Sequence, residues 1–557
     1  MVSLKEAVAA MVKPWMKIHL AGGIGGPSAA VDEIIRQYHG KKPGFELIQS
    51  TVTGHSLNLL HCKLLSKMIF TVCMSISPSG RPSRVMQQEW AAKQIEFENW
   101  SLCSLQQRLL AGALGVDFMP TRSLSGSSLA ETNSRNFVEI ESPFEPEQKV
   151  GLVKALNPDI SIIHACLADE TGNTVLAIPY GDDLWGALAS GSVLITAEKV
   201  VPSEVIHRYS ALVKIPSYMV RAVCPVPMGL HPFSLASPVP DEIPGYETDS
   251  GFLKELHQAT LDNVTLDRWI KEWVLDCPNQ ESYLHKLGTE RVGRLQFWPV
   301  SREKVEAPAV KTGEAPYTDE EMVLIAAARE IKQKIKRNKH KTVLLGAGSR
   351  SAAVLLAYYQ LKEQGYELDI VTGNGQYGYE PAAGEMAVQN LRGIYSSKMV
   401  TDTITAQGIL IGGMNNRCLG VLGAGQIDKF AGINSTLTSG GQFLVGSGGA
   451  NDVGNASEII VIINQSKDKF VDVLPFITCP GTRVTTVISN RGIFRKPVGK
   501  REIIISACLP DSRLMDLNER IARIKAECAW PVRTALKVLD VPEPAGDELE
   551  LLRKLIA

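Results

Sequence analysis

Two glycine-rich turns are the places where this sequence is best equipped for chemistry. Gly22-Gly23-Ile24-Gly25-Gly26 follows the apolar run Ile18-His19-Leu20-Ala21, and Gly446-Ser447-Gly448-Gly449-Ala450-Asn451-Asp452 lies in the second half of the chain. Glycines leave backbone N–H groups open to close approach. Gly25, Gly26, Gly446, Gly448 and Gly449, with Asn451 beside them, therefore suit a phosphate, a carboxylate or an oxyanion developing on a carbonyl. Neither the first turn nor Gly346-Ala347-Gly348 completes the G-x-G-x-x-G dinucleotide fingerprint, because Ser28 and Ser351 stand where the third glycine is needed. No G-x-x-x-x-G-K-[ST] occurs either, so a nicotinamide dehydrogenase and a Walker-type NTPase are set aside. The ten cysteines are scattered without C-x-x-C or finger-spaced histidines. Neither a metal centre nor a disulfide framework is expected, and the thiols read as small core residues of a cytoplasmic protein.

The elements that must carry these turns repeat along the chain. In the first unit an apolar strand, the glycine turn, Ser28-Ala29-Ala30-Val31 opening a helix, and Gly44-Phe45-Glu46-Leu47 entering a second strand follow one another. The second unit has Val343-Leu344-Leu345, its own glycine turn, Ser351-Ala352-Ala353-Val354, and Gly365-Tyr366-Glu367-Leu368 before Asp369-Ile370-Val371. Later, Ile160–Thr174 has a loose counterpart in Gly425–Thr436, and each half goes on to a β-branched strand, Val193–Thr196 or Ile459–Ile463. Strands alternating with helices predict parallel open sheets, so the fold class is α/β, two related open-sheet domains forming an internal pseudo-repeat. Between them, residues 299–318 carry Pro308 and Pro316 among charged and small residues and read as a linker. Thr318-Asp319-Glu320-Glu321 is a capping box that starts the next helix. The expected division is 1–300, a linker over 301–318, and 319–557, with a shared cleft as the place for a ligand.

Composition narrows the partners. With 557 residues, 45% of them hydrophobic and 21% charged, the chain can bury more than one core. Lys and Arg number 58 against 59 Asp and Glu, with no long basic block, which argues against nucleic acid. No apolar run has the roughly 18 residues of a membrane span, so no membrane partner is expected.

Longer stretches resemble a known family. The first half has LAGGIGGPSAAVDEIIRQ, LQQRLLAGALGVDFMPTRSLSGSSL, PDISIIHACLADETGNT, ITAEKVVP and PSYMVRAVCPVPMGLHPFSL. The second has LGAGQIDKFAGINST, GSGGANDVGNASEIIVIINQSKDKFV and FITCPGTRV. Over most of residues 15–240 and 340–495 the sequence is similar to the family I CoA-transferases of the glutaconate type, with their α and β subunits fused head to tail. The resemblance implies an acyl-CoA substrate, an α-like domain over 1–300, a β-like domain over 319–557, no metal, and oligomeric relatives that admit a homo-oligomer.

It also exposes a departure. Family members attack the acyl-CoA with a β-half glutamate at a strand end, in a Ser-Glu-Asn-Gly type motif, and hold CoA as a glutamyl thioester. The corresponding stretch is Thr372-Gly373-Asn374-Gly375, with Gly373 in the glutamate's place. Relatives lacking the glutamate decarboxylate CoA thioesters or open rings hydrolytically, using an oxyanion hole beside the thioester. Candidate replacement groups are Glu380 on the following loop, Glu98 before LCSLQQRLLAGAL, Tyr377 and Tyr379 as donors or stacking rings, and Ser75 and His55. Lys467, Lys469 and Arg483 are candidates for the CoA phosphates. The leading expectation is cleavage or rearrangement of a CoA-linked acid by hydrolysis, decarboxylation or retro-Claisen scission. The alternatives are a true CoA-transferase using another carboxylate and a noncatalytic CoA-thioester binder.

Overall fold

The computed structural model describes all residues except 1, 22–23, 76–80, 182, 298–315, 347, 349, 382–389, 512 and 557. The first half is built on β1 (Lys17–Ala21), helix α1 (Ser28–Tyr38), β2 (Phe45–Val52), β3 (Leu65–Cys73), β4 (Glu96–Asn99), helix α2 (Leu102–Leu114), β5 (Ile160–Asp169), β6 (Val193–Val201) and β7 (Val220–Pro225). These strands run parallel in the order β4-β3-β2-β1-β5-β6-β7 within a nine-stranded sheet. A central parallel strand is covered on both faces and must be apolar throughout. In β5, Ile-Ser-Ile-Ile-His-Ala-Cys-Leu-Ala-Asp, all ten positions are buried, the polar ones holding partners such as Ser161 on His19.

The second half has α3 (Asp319–Asn338), β8 (Thr342–Leu344), α4 (Ser351–Glu363), β9 (Asp369–Val371), β10 (Cys418–Gly423), β11 (Glu458–Ile462) and β12 (Val484–Ile488). Here the parallel order is β9-β8-β10-β11-β12, inside a ten-stranded sheet. Element for element, β2-β1-β5-β6-β7 and β9-β8-β10-β11-β12 have the same connectivity, so the repeat read from the sequence is a repeat of sheet topology. The partner of β5 is β10, which ends just before Gly425–Thr436. That loop forms instead a small hairpin, Gln426–Ile427 against Ile433–Asn434. Asp169 and Asp428 head comparable turns, each accepting backbone N–H groups from residues two to four ahead.

Helices at 250–295 add Phe252, Leu256, Trp269 and Tyr283 to the core under the first sheet. The Thr318–Glu321 capping box forms at the start of α3. The 301–318 linker lies almost wholly outside the described residues.

The halves pack closely on each other. Phe443 of the second half is fully buried against Phe70 and Trp90 of the first, with ring centroids 5.7 and 4.9 Å away. Trp90 Nε1 donates to the Gly441 carbonyl at 3.0 Å.

Candidate functional site between the halves

The Gly-Ser-Gly-Gly run is laid along the end of β3. Cys73 N donates to Val445 O at 2.9 Å, Gly448 N donates to Thr71 O at 3.0 Å, and Leu102 N donates to Gly448 O at 3.0 Å. Gly446 has φ +97°, and a Cβ there would stand 2.6 Å from Thr71 O. Only glycine fits so close to another backbone with that torsion. Asn451 accepts from Leu124 N at 2.8 Å and donates to Thr478 O at 2.9 Å. The residues expected to offer N–H groups to a ligand thus seam one half to the other: the carbonyls facing Gly448 N and Asn451 Nδ2 are the protein's own.

Asp452, next in the motif, is buried at the first turn of α2. It accepts from Ser101 Oγ at 2.6 Å, Ser123 Oγ at 2.6 Å and Cys103 N at 3.0 Å. Ser101 is also the cap of α2, its hydroxyl accepting from Ser104 N at 3.2 Å. Burial pushes the Asp452 pKa up to about 6 against those donors. Burial, reinforced by the neighbouring Asp452, also pushes the Cys103 thiol well up, so it is no ready thiolate.

Beside this seam lies a cavity of about 210 Å³. Its wall includes Cys103, Gln107, Arg122, Gln407, Gly408 and Asp452, drawn from both halves. Gln407 sits on the π-helical turn Ile404–Ile411 and is 3% exposed. Its Nε2 is 2.2 Å from where a Cβ on Gly373 would stand and 2.4 Å from a Cβ on Gly449. The carboxamide fills the space of two absent side chains. Its Oε1 is buried without a partner among the described residues.

The groups singled out from sequence fall elsewhere. Glu98, 8% exposed, is tied to Arg108 at 2.6 Å, Lys67 at 2.7 Å and Trp100 Nε1 at 2.8 Å. Burial would raise its pKa, but Arg108, Lys67 and the indole N–H outweigh that and hold it below the usual carboxylate range. Glu380 is an outward carboxylate, its side chain 70% exposed and paired with Lys362 at 2.7 Å. Tyr377 donates to Asp369 at 2.8 Å, and burial, with that carboxylate, pushes its pKa up to about 12. Tyr379 is buried in the second-half core. Ser75 Oγ lies 2.8 Å from His257 Nδ1, and its backbone N–H donates to Arg81 O. His55, fully buried, holds Asp32 at 2.8 Å. The faces of Gly25 and Gly26 are covered too: a Cβ would stand 2.2 Å from the Phe233 ring in one case and 2.7 Å from Gln49 Nε2 in the other. Lys467 and Arg483 are exposed, and Lys469 is half-buried. None of the catalytic candidates lines the cavity.

Missed in the sequence were Gln407, Asp452, Gln107 and Arg122. Gln407 had a signal, an amide side chain in the mostly apolar run Ile404-Thr405-Ala406-Gln407-Gly408-Ile409-Leu410-Ile411. Asp452 directly follows the nominated Asn451. Among the described residues no group of three or more His, Cys, Asp or Glu is gathered as a metal would need, and no helix is long and apolar enough to cross a membrane.

Paired α/β sheets with a cavity at their junction define an enzyme-like two-unit architecture, and comparison with known proteins gives the family. The coenzyme A transferase family profile matches residues 1–224. One subunit of the 3-oxoadipate CoA-transferase of Pseudomonas knackmussii is 30% identical over 277 residues, 49% of this chain and 93% of its own length. Another subunit of the same enzyme is 27% identical over 268 residues, 43% of this chain and 94% of its own length. One subunit of the glutaconate CoA-transferase of Acidaminococcus fermentans is 28% identical over 313 residues, 53% of this chain and 94% of its own length. A solved acyl-CoA transferase from Escherichia coli O157:H7, a thioester complex with CoA, shares the fold with a TM-score of 0.67 at 15% identity, covering 100% of this chain and 96% of its own. The chain belongs to the coenzyme A transferase family and is an enzyme of that superfamily.

Proposed function

We propose that one polypeptide here does the work of two subunits, residues 1–300 in the α-like role and 319–557 in the β-like role, on an acyl-CoA held at their junction. Gly373 takes the place of the family's nucleophilic glutamate, and the reaction is a cleavage or rearrangement of the CoA-linked acid without a glutamyl thioester. Hydrolysis, decarboxylation and retro-Claisen scission all share the same need, stabilisation of charge on the thioester oxygen. One observation carries this reading. The space opening from Gly373 is filled by the Gln407 carboxamide, which is neither a nucleophile nor a base. Similarity to two different subunits of one relative supports the two-in-one arrangement.

A true transferase is the second reading, and it has a specific candidate. Asp452 lines the same cavity with its pKa raised by burial to about 6. Its oxygens already accept from Ser101, Ser123 and Cys103 N, which favours a seam residue over a nucleophile.

Intact-protein mass after incubation with glutaconyl-CoA and 3-oxoadipyl-CoA, with and without borohydride, separates the two while chromatography follows the thioester. Consumption of the thioester with no protein adduct is expected. A CoA-sized adduct on a native carboxylate would overturn the reading, and peptide mapping would say whether Asp452 carries it.

A further inference from the structure

Two glutamines at the cavity, Gln107 and Gln407, each bury an Oε1 that has no partner among the described residues, and Gln107 is anchored through Nε2 to Pro120 O at 3.2 Å. A buried carboxamide oxygen left without a hydrogen bond costs about 1–3 kcal/mol, and native structures keep few such groups. The Gln407 Oε1 is buried and has no partner among the described residues. The turn that carries Gln407 is π-helical, a rare geometry that recurs frequently at functional sites. Two backbone positions facing it, Gly373 and Gly449, lack side chains, and one atom more at either would collide with it. The cavity opens beside it, with Asp452 and Cys103 on the same wall.

We infer that Gln407 is a catalytic residue: its Nε2–H donates to the thioester carbonyl oxygen of the bound acyl-CoA and stabilises the charge that builds there. This rests on the function proposed above and assigns the donor that function requires. No bond to Gln407 is made or broken. As the thioester carbon is attacked, or the carbon beside it becomes an enolate, negative charge moves onto the oxygen facing the amide. A short neutral donor in a buried site suits that task, because its dipole is fixed before the charge appears.

Two variants test it with glutaconyl-CoA and 3-oxoadipyl-CoA as probes. Gln407→Met keeps the volume and removes the donor. Turnover is expected to fall about 10²–10³-fold with KM little changed, the loss typical of one oxyanion donor. A change in kcat below about threefold would overturn the assignment. Gln407→Glu tests the geometry and does not depend on native turnover. The introduced carboxylate attacks the thioester carbon, the C–S bond breaks, and CoA leaves as thiolate while an acyl anhydride forms. The thiolate then attacks the side-chain carbonyl, releasing the acyl group as carboxylate and leaving CoA bound to residue 407 as a thioester. A CoA-sized mass increase mapped to the peptide spanning residue 407 is expected. Its absence from a variant shown by calorimetry to be saturated with probe would overturn the inference. Wild-type adduct formation on a native carboxylate, by contrast, sinks the proposed function itself, so the two failures are distinguishable.

Discussion

The second strand of each half ends in the same three residues, Val52-Thr53-Gly54 after β2 and Val371-Thr372-Gly373 after β9. Each glycine has its open face covered, but by different chemistry. Gly54 lies under the Phe233 ring, which a Cβ would approach to 2.5 Å, and its φ is +59°. Gly373 lies under the Gln407 carboxamide, and its φ is not among the positive ones. The residue after each glycine is polar and leaves a buried nitrogen without a partner among the described residues: His55 Nε2, although its Nδ1 holds Asp32 and its ring packs on Phe252 and Trp269, and Asn374 Nδ2. One strand end has been sealed with an aromatic ring, while the equivalent end in the other half keeps a polar group with unused hydrogen-bonding capacity beside a cavity. The repeated topology supplies two equivalent strand ends, and on the function proposed above the choice of covering side chain separates a packing site from a reacting one.

The strongest way to break that comparison is to restore a carboxylate at the second strand end. Gly373→Glu alone meets Gln407 at a distance no Cβ tolerates, so the side chain must be displaced before it can act. In a Gln407→Ala background the path is clear. The double variant is expected to accumulate a CoA adduct at residue 373 on incubation with acyl-CoA, while the single Gly373→Glu variant accumulates several-fold less. Equal labelling of the two by mass spectrometry would show that Gln407 does not occupy the vacated path. The pair also measures coupling between the positions, as neighbours in contact do not behave additively.

Glu98→Ala breaks a different part of the contrast, because it asks whether a nominated catalytic carboxylate is a structural one. Removing one partner of a buried ion pair leaves Arg108 uncompensated, and a loss of about 3–5 kcal/mol in unfolding free energy by denaturant titration is expected. A loss below about 1 kcal/mol would free Glu98 from that structural role.

Asp452 gives the seam a pH dependence with a definite sign. Its folded pKa, raised to about 6, lies above the unfolded carboxylate value, so its contribution favours folding at low pH and is lost as pH rises through about 6. Asp452→Asn removes that titration. Between pH 4 and 7 the variant's stability relative to the parent is expected to climb by up to about 3 kcal/mol, from 1.36 kcal/mol per pKa unit. Asp169, held by its turn at a pKa of about 2, and Glu458, held near 2 by His340, Lys334 and Thr485 despite burial, act oppositely in both proteins and cancel in the difference. A flat difference across that range would place the Asp452 pKa near its ordinary value.

The fold was legible because it depends on patterns that need no partner across the cleft. Strand, glycine turn, Ser-Ala-Ala-Val helix and strand recur in order, and that alternation predicts parallel sheets of like build. The capping box at Thr318 is local by nature. The site was harder to read, for a physical reason visible in three residues. Gly446 and Asn451 belong to a motif whose open backbone suggests a ligand, yet the partner is the other half of the same chain. Nothing local to Glu98 says that Arg108, ten residues on, will neutralise it. Gln407 gains its meaning only from standing over Gly373, 34 positions earlier in sequence and on another element. The Val-Thr-Gly match between β2 and β9 was in the sequence and marked the equivalent strand ends, but the covering residues, Phe233 and Gln407, come from distant segments without a common pattern.

The finest test substitutes each of the two glycines by alanine and compares stability with chemistry. At Gly54 a methyl meets the packed Phe233 ring, and alanine must also hold a left-handed φ. A cost of about 1–3 kcal/mol in unfolding free energy is expected, with turnover per folded molecule unchanged. At Gly373 the backbone accepts alanine, and the methyl meets the far end of a flexible side chain, which can swing aside. Little stability, under about 1 kcal/mol, is expected to be lost, but the Gln407 carboxamide is turned from its position and turnover falls. The two alanines should therefore split, one moving the denaturation midpoint and the other moving kcat. If both moved only the midpoint, Gln407 over Gly373 would be packing of the same kind as Phe233 over Gly54, and the two strand ends would differ in composition but not in use.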